Sequence, residues 1–257
     1  MRVTSLFLLA ALLAHAQDYS VEKEAALGKQ LAASFLKSGT LLENDELAAY
    51  VRSVGTRLVG KLEPSAPYTF TITSEWQDPP PLEAYGLPGG QVIVPSSLIL
   101  AARDEAELAG ALAHPIIHNA ARHAIRSRGQ LGQLGPIPLV YVGTFGQATP
   151  LLLPVGLLQV QRANESEADQ MVVRLMSDAG YDPAGLEHYV ERVQQDPARP
   201  EFSQVPPREE RLRAVERGIA SLPKQTYSAS EDFGRIQEEL RRLAPTPPPR
   251  RAPTLVG

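Results

Sequence analysis

The 257-residue chain has no cysteine, one tryptophan and only five histidines. Without cysteine there are no disulfide staples, so a folded domain must be held by its core. Thiolate zinc ligands are excluded as well, which leaves imidazoles and carboxylates for any metal. The chain also lacks a basic surplus: 25 Lys and Arg against 29 Asp and Glu give a formal charge of −4. That balance argues against a nucleic-acid partner. Its N-terminal apolar run is too short to span a bilayer. What is present, 43% hydrophobic and 21% charged residues, suits a folded protein of one domain.

The ends read differently from the middle. Arg2, the apolar run from Leu6 to Leu13 and the small-x-small triplet Ala14-His15-Ala16 have the form of a secretory signal, predicting a signal peptide over 1–16 and an exported protein, periplasmic or extracellular. No Cys follows the run, so the sequence offers no lipid-anchoring site there. Residues 17–243 are expected to form the folded domain. Residues 244–257, with Pro245, Pro247, Pro248, Pro249 and Pro253, are expected to be a disordered tail.

Within the domain, helical spacing of Val21, Ala25, Leu31 and Phe35 predicts a helix from Val21 to Lys37, and Asn44 or Asp45 caps a second through Val59. Tyr68 to Thr73 alternates as a strand. Two further strands, at Ala84-Tyr85 and Gln91 to Val94, flank a turn at Leu87-Pro88-Gly89-Gly90. Pro95 implies that the second lies at an edge or stops there. Asp104, with Glu107 as its capping-box partner, starts a helix whose apolar stripe is Leu108, Leu112, Ile116 or Ile117, and Ala120. The stretch from Leu131 to Leu158 is apolar but broken by Gly and Pro; it reads as a buried connection, a lid, or a contact for a membrane or partner. Helices follow at Ala163 to Ala179, Ala184 to Val193 and Glu209 to Ile219, the first ended by Gly180.

The chemistry concentrates in His114-Pro115-Ile116-Ile117-His118. Histidines at i and i+4 share one helix face, the spacing with which a helix offers two imidazoles to one metal ion. A hydrolytic zinc site needs a third ligand and an open position for water. Glu165 is the natural third, and Asp169, one turn on, could accept a ring N–H from a ligand histidine. His123 reads as a packing residue, His188 as surface, and Trp76 and Tyr85 as core or cleft wall. Pro115 lacks an N–H for Ala111 and crowds its carbonyl, which costs about 3 kcal/mol in a helix interior, and it biases His114 away from helical angles. The two histidines are therefore expected to be poorly aligned.

Several blocks together resemble the HtpX-like and CAAX-prenyl-protease-like zinc metalloendopeptidases, most closely their exported soluble bacterial members: Glu24-Ala25-Ala26-Leu27-Gly28, Ala84 through Gly90, Asp104 through Ala109, Ala121-Arg122-His123, and Glu165-Ser166-Glu167-Ala168-Asp169 followed by Ala179 through Pro183. The resemblance implies an α+β fold, a helix-rich zincin-like domain with a small flanking sheet. It implies one zinc ion on His114, His118 and Glu165, and a polypeptide substrate laid along the edge at Leu87, Pro88, Gly89 and Gly90.

Three departures bear on activity. Pro115 stands where the family has the general-base Glu of His-Glu-x-x-His, and loss of such a base costs roughly 10²–10⁴-fold in rate. Val205 falls where members often carry a His that stabilises the oxyanion. Glu83 replaces an Asn common before the Pro-Gly-Gly strand. The expected protein is a catalytically impaired relative, a pseudoenzyme that binds polypeptides or serves quality control in the cell envelope. An active metalloendopeptidase would need another base, for which Glu83 and Glu167 are the only nearby candidates, and the sequence puts neither at the right position.

Overall fold

The computed structural model describes residues 20–36, 40–64, 66–74, 81–123, 155–194 and 205–243. The expected signal peptide (1–16), residues 131–154, Trp76 and the Pro-rich tail lie outside them.

The elements run α1 (Val21–Leu36), β1 (Thr40–Leu41), α2 (Asp45–Val59), β2 (Thr69–Ser74), β3 (Tyr85–Leu87), β4 (Gln91–Pro95), α3 (Ser96–Ala101), α4 (Glu105–Ala120), α5 (Val155–Asp178), α6 (Ala184–Val193), α7 (Arg208–Ala220) and α8 (Phe233–Leu243). This is the expected α+β architecture, helix-rich with a small sheet. The strand order is β1-β2-β4-β3, with β2 and β4 parallel and the outer pairs antiparallel. β4 is therefore central. Pro95 is tolerated because it is the last residue of the β2–β4 ladder, opposite Thr73, where no further N–H is needed.

Local chemistry explains the boundaries. The Asn44 side chain accepts from the Leu47 N–H at 2.9 Å, and Asp104 accepts from the Glu107 N–H at 2.8 Å. The reciprocal half of the second cap is shifted: Glu107 accepts from the Arg103 N–H at 3.0 Å, one residue before the cap, and also pairs with Arg192 of α6. Gly180, at φ 75°, turns the chain out of α5 so that the Tyr181 N–H reaches the Met176 carbonyl at 2.8 Å.

α4 is the hub. Every residue from Glu107 to Ile117 is buried, so the helix is covered on all faces; Ala120, expected in its stripe, is exposed. α6 crosses it where glycines permit close approach: a Cβ on Gly185 would lie 2.3 Å from the Ala106 carbonyl oxygen. β3 meets it at Pro115, where a Cβ on Gly86 would lie 2.8 Å from the Pro115 Cβ. α4 is a single helix through Pro115. The expected disruption does not occur, because the flanking turns are locked by packing on every side, which outweighs one lost hydrogen bond.

Three elements are additional to the sequence-based expectation: β1, α3 and α8. α8 buries Phe233, Ile236 and Leu240, and its Gln237 side chain donates to the Ile99 and Ala102 carbonyls at 2.9 and 2.8 Å, satisfying the C-terminal end of α3. Pro88–Gly90 form a short 3₁₀ turn packed beneath α1, where a Cβ on Gly28 would lie 1.7 Å from the Pro88 carbonyl oxygen and one on Gly89 2.5 Å from the Ala25 Cα. Pro88 and Gly90 of that turn are buried and Gly89 is half-buried. Among the described strands β1 and β3 are the outer ones, and Leu87 is the last residue of β3. No helix among the described residues is long and apolar enough to cross a membrane.

Candidate metal centre

α4 and α5 pack side by side and bring His114, His118 and Glu165 together, one potential ligand atom from each lying within 4.8 Å of the others. His114 Nε2 is 3.3 Å from Glu165 Oε2, and His118 Nε2 is 3.4 Å from Glu165 Oε1. Ligands about 2.0–2.1 Å from a tetrahedrally coordinated ion stand roughly 3.3 Å apart, so these separations suit a His₂Glu set around one divalent ion. Among the described residues, buried His118 Nε2 and Glu165 Oε2 make no hydrogen bond. Polar atoms buried without partners and converging on one point are what a cation would satisfy. When bound, a divalent ion would supply Lewis acidity for a carbonyl oxygen and for an attacking water.

Electrostatics agree with ligation. Burial pushes the Glu165 carboxyl up, but the two imidazoles beside it outweigh that and hold it well below the usual carboxylate range. Burial pushes His114 down, against the pull of Glu165, which favours the neutral imidazole that a metal requires.

The surrounding groups fix the rings. His123 Nδ1 lies 2.8 Å from His118 Nδ1, and with that nitrogen engaged, Nε2 of His118 is the one that faces Glu165. Arg122, at φ 53°, turns the chain back after α4 so that His123 reaches His118, and its guanidinium donates to Glu24 of α1 at 2.8 Å. His123 Nε2 stands 3.4 Å from Glu167, an acid whose side chain is 44% exposed. Glu167 therefore serves the outer side of His123 and is removed from the ligand cluster.

Asp169 departs from its expected role. It is 3.7 Å from His114 Nε2, too long for a hydrogen bond, while both its oxygens accept from Arg211 at 2.7 Å. A bidentate guanidinium is the stronger partner. Arg211 also donates to Gln194 at 2.9 Å, whose amide donates to the Pro206 carbonyl at 2.7 Å. This buried chain ties α5 to α7 behind the ligands. Arg211 lies in the helix expected at Glu209 to Ile219, but nothing in its local sequence marks it as the partner of Asp169. Val205 is buried and offers no side-chain donor. Glu83 is also buried. Burial drives its carboxyl up to about 8, with Arg211 pulling it down and Glu165 pushing it further up. Tyr85 packs its ring 4.9 Å from that of Phe35, against the small cluster of Ala32, Leu87 and Ile93, and His188 is half-buried and outside the ligand set.

Comparison with known proteins accounts for this arrangement. The sequence model of peptidase family M48 matches residues 45–219, more than half of the chain. The chain belongs to peptidase family M48. M48 relatives include the beta-barrel assembly-enhancing protease of Yersinia pestis, 27% identical over 191 residues, covering 68% of this chain and 38% of that protein. The protein of the same name from Escherichia coli (strain K12) is 25% identical over 242 residues, covering 83% and 47% respectively. The mitochondrial metalloendopeptidase OMA1 of Schizosaccharomyces pombe is 34% identical over 121 residues, covering 46% and 36%. The chain thus spans less than half the length of each of these relatives. α4 and α5, with both histidines and Glu165, lie inside the matched M48 region.

Proposed function

We propose that this chain is an exported M48 protein that holds one zinc ion on His114, His118 and Glu165 and acts on polypeptides in the cell envelope, with hydrolysis attenuated by Pro115. The observation that carries the reading is the convergence of a His₂Glu set around a helix position that carries no carboxylate. Proline can neither accept a proton from an attacking water nor return one to a departing amine. Export is supported by the signal-like pattern at Arg2, Leu6 to Leu13 and Ala14-His15-Ala16. A quality-control role is supported by the names of the bacterial relatives, which describe proteases that enhance β-barrel assembly. An extended polypeptide would add along the outer strand β3, which runs beside Pro115.

The test is zinc content together with cleavage of casein, with and without chelator. One zinc per chain is expected, lost in His118→Ala, with chelator-sensitive cleavage roughly 10²–10⁴-fold below that of Pro115→Glu. A chain that takes up no zinc, or one that cleaves as fast as Pro115→Glu, would refute the reading.

A further inference from the structure

The site has lost one carboxylate and gained another. Relative to the resemblance pattern, Pro115 replaces a Glu, and Glu83 replaces an Asn. Glu83 is only 7% exposed, and its Oε1 is buried with no hydrogen-bond partner. Such an atom in a packed protein needs a reason for being there. The charged and titratable groups acting on it are Arg211 of α7, Glu165 of α5 and Tyr189 of α6. Arg211 is already committed to both oxygens of Asp169, so among the described residues Glu83 Oε1 is left without a partner. Nor is Glu83 one of the three clustered ligand residues, so its carboxylate is left over for other chemistry. It lies three residues before Gly86, the point at which the β3 segment touches Pro115, on the stretch of chain that leads to the vacated base position.

We propose that Glu83 is the proton-transferring residue of the residual hydrolysis, taking over from the loop side the role that position 115 cannot perform. The proposal rests on the metal-binding reading above. In the attack step, a water O–H bond breaks and its proton passes to the Glu83 carboxylate. The water oxygen bonds to the scissile carbonyl carbon, and the carbonyl π pair moves onto oxygen. In the collapse step that pair re-forms the carbonyl, the C–N bond breaks, and the proton held by Glu83 passes to the leaving nitrogen. The products are a carboxylic acid and an amine, and Glu83 is again a carboxylate. No oxidant or co-reactant is needed. Burial favours the neutral carboxyl in the metal-free protein. A bound cation nearby would draw it toward the ionised form that the attack step uses.

Five chains test this: the wild type, Glu83→Gln, Glu83→Asn, Pro115→Glu and the Glu83→Gln, Pro115→Glu double variant, each assayed for zinc stoichiometry and for kcat and KM on casein. Glu83→Gln should keep one zinc and its KM while losing about tenfold or more in kcat. In the Pro115→Glu background the same change should cost far less, because the usual base position is refilled. Glu83→Asn, which restores the residue common in the family, should behave as Glu83→Gln does and guards against a folding defect peculiar to one variant. Carbon-13 NMR of the metal-free chain gives a readout independent of turnover: one carboxyl titrating near neutrality or above, absent in Glu83→Gln. Full cleavage in both Glu83 variants overturns the proposal. So does loss of zinc in them, which would make Glu83 a support of the ligand shell. A wild type that binds zinc but cleaves nothing also overturns it while leaving the metal-binding reading intact; a wild type without zinc defeats both.

Discussion

Glu83 and Glu165 show how two buried carboxyls of one site are driven apart. Glu165 has imidazoles 3.3 and 3.4 Å away and stays ionised; Glu83 has no comparable partner and stays neutral to about pH 8. The sign of the consequence is fixed by linkage. A carboxyl whose folded pKa is raised holds its proton in the native state after the unfolded chain has released it. Its contribution is full below the ordinary Glu range and is lost as pH rises toward 8. Metal-free protein should therefore lose stability, on the order of a few kcal/mol, between about pH 5 and pH 8, and Glu83→Gln should flatten that slope. Urea unfolding at several pH values checks it; parallel slopes in the two proteins would refute the assignment. Arg211 makes the opposite case. Both it and Asp169 are buried, so Arg211→Met removes one charge and strands the other. A loss of about 3–5 kcal/mol is expected, read from the denaturation midpoint.

At the scale of elements, Pro115 is the informative position. It deprives α4 of the N–H that would reach Ala111, yet the helix continues from Glu105 to Ala120. Pro115→Ala should raise stability by about 1–3 kcal/mol, less than the full proline penalty because some of the packing against Gly86 is lost. A fall in the urea midpoint would mean that ring packing outweighs the missing bond. Gly28→Ala should act the other way, driving a methyl into the Pro88 carbonyl and lifting α1 from the 3₁₀ turn, at about 1–3 kcal/mol. The same contrast explains what the sequence disclosed. Helices with clear periodicity and caps, such as those starting after Asn44 and Asp104, were legible because the signal lies within a few residues. The His114, His118 and Glu165 set was legible through i, i+4 spacing and block order. The pairing of Asp169 with Arg211 spans 42 residues, and no local pattern distinguishes a guanidinium from an imidazole as the partner. The packing of Pro88–Gly90 beneath α1 was hidden for the same reason: that helix is about sixty residues upstream. α8 carried its own signal in Phe233, Ile236 and Leu240, a stripe overlooked beside the Pro-rich tail.

At the scale of the whole molecule, metal binding and folding are one equilibrium. The ligands come from α4 and α5, and behind them the Asp169–Arg211–Gln194 chain reaches α7 and the segment after α6. The three ligands converge only when these helices are docked, so an ion held by them binds the native state and not the unfolded chain. Zinc at 100 times its dissociation constant should then stabilise the protein by about 2.7 kcal/mol. For a chain of this size that is a rise in melting temperature of roughly 5–10 °C. Chelator should reverse the shift. His118→Ala should abolish it, and should also lower the metal-free melting temperature somewhat, since the ring's contacts with His123 and Glu165 are lost. Glu83→Gln should preserve the shift, because that carboxylate lies outside the ligand cluster. The measurement is a pair of thermal melts per variant, with zinc and with chelator. A zinc-induced rise of equal size in His118→Ala would show that the ion binds elsewhere and that the α4–α5 cluster is held by charge pairing alone.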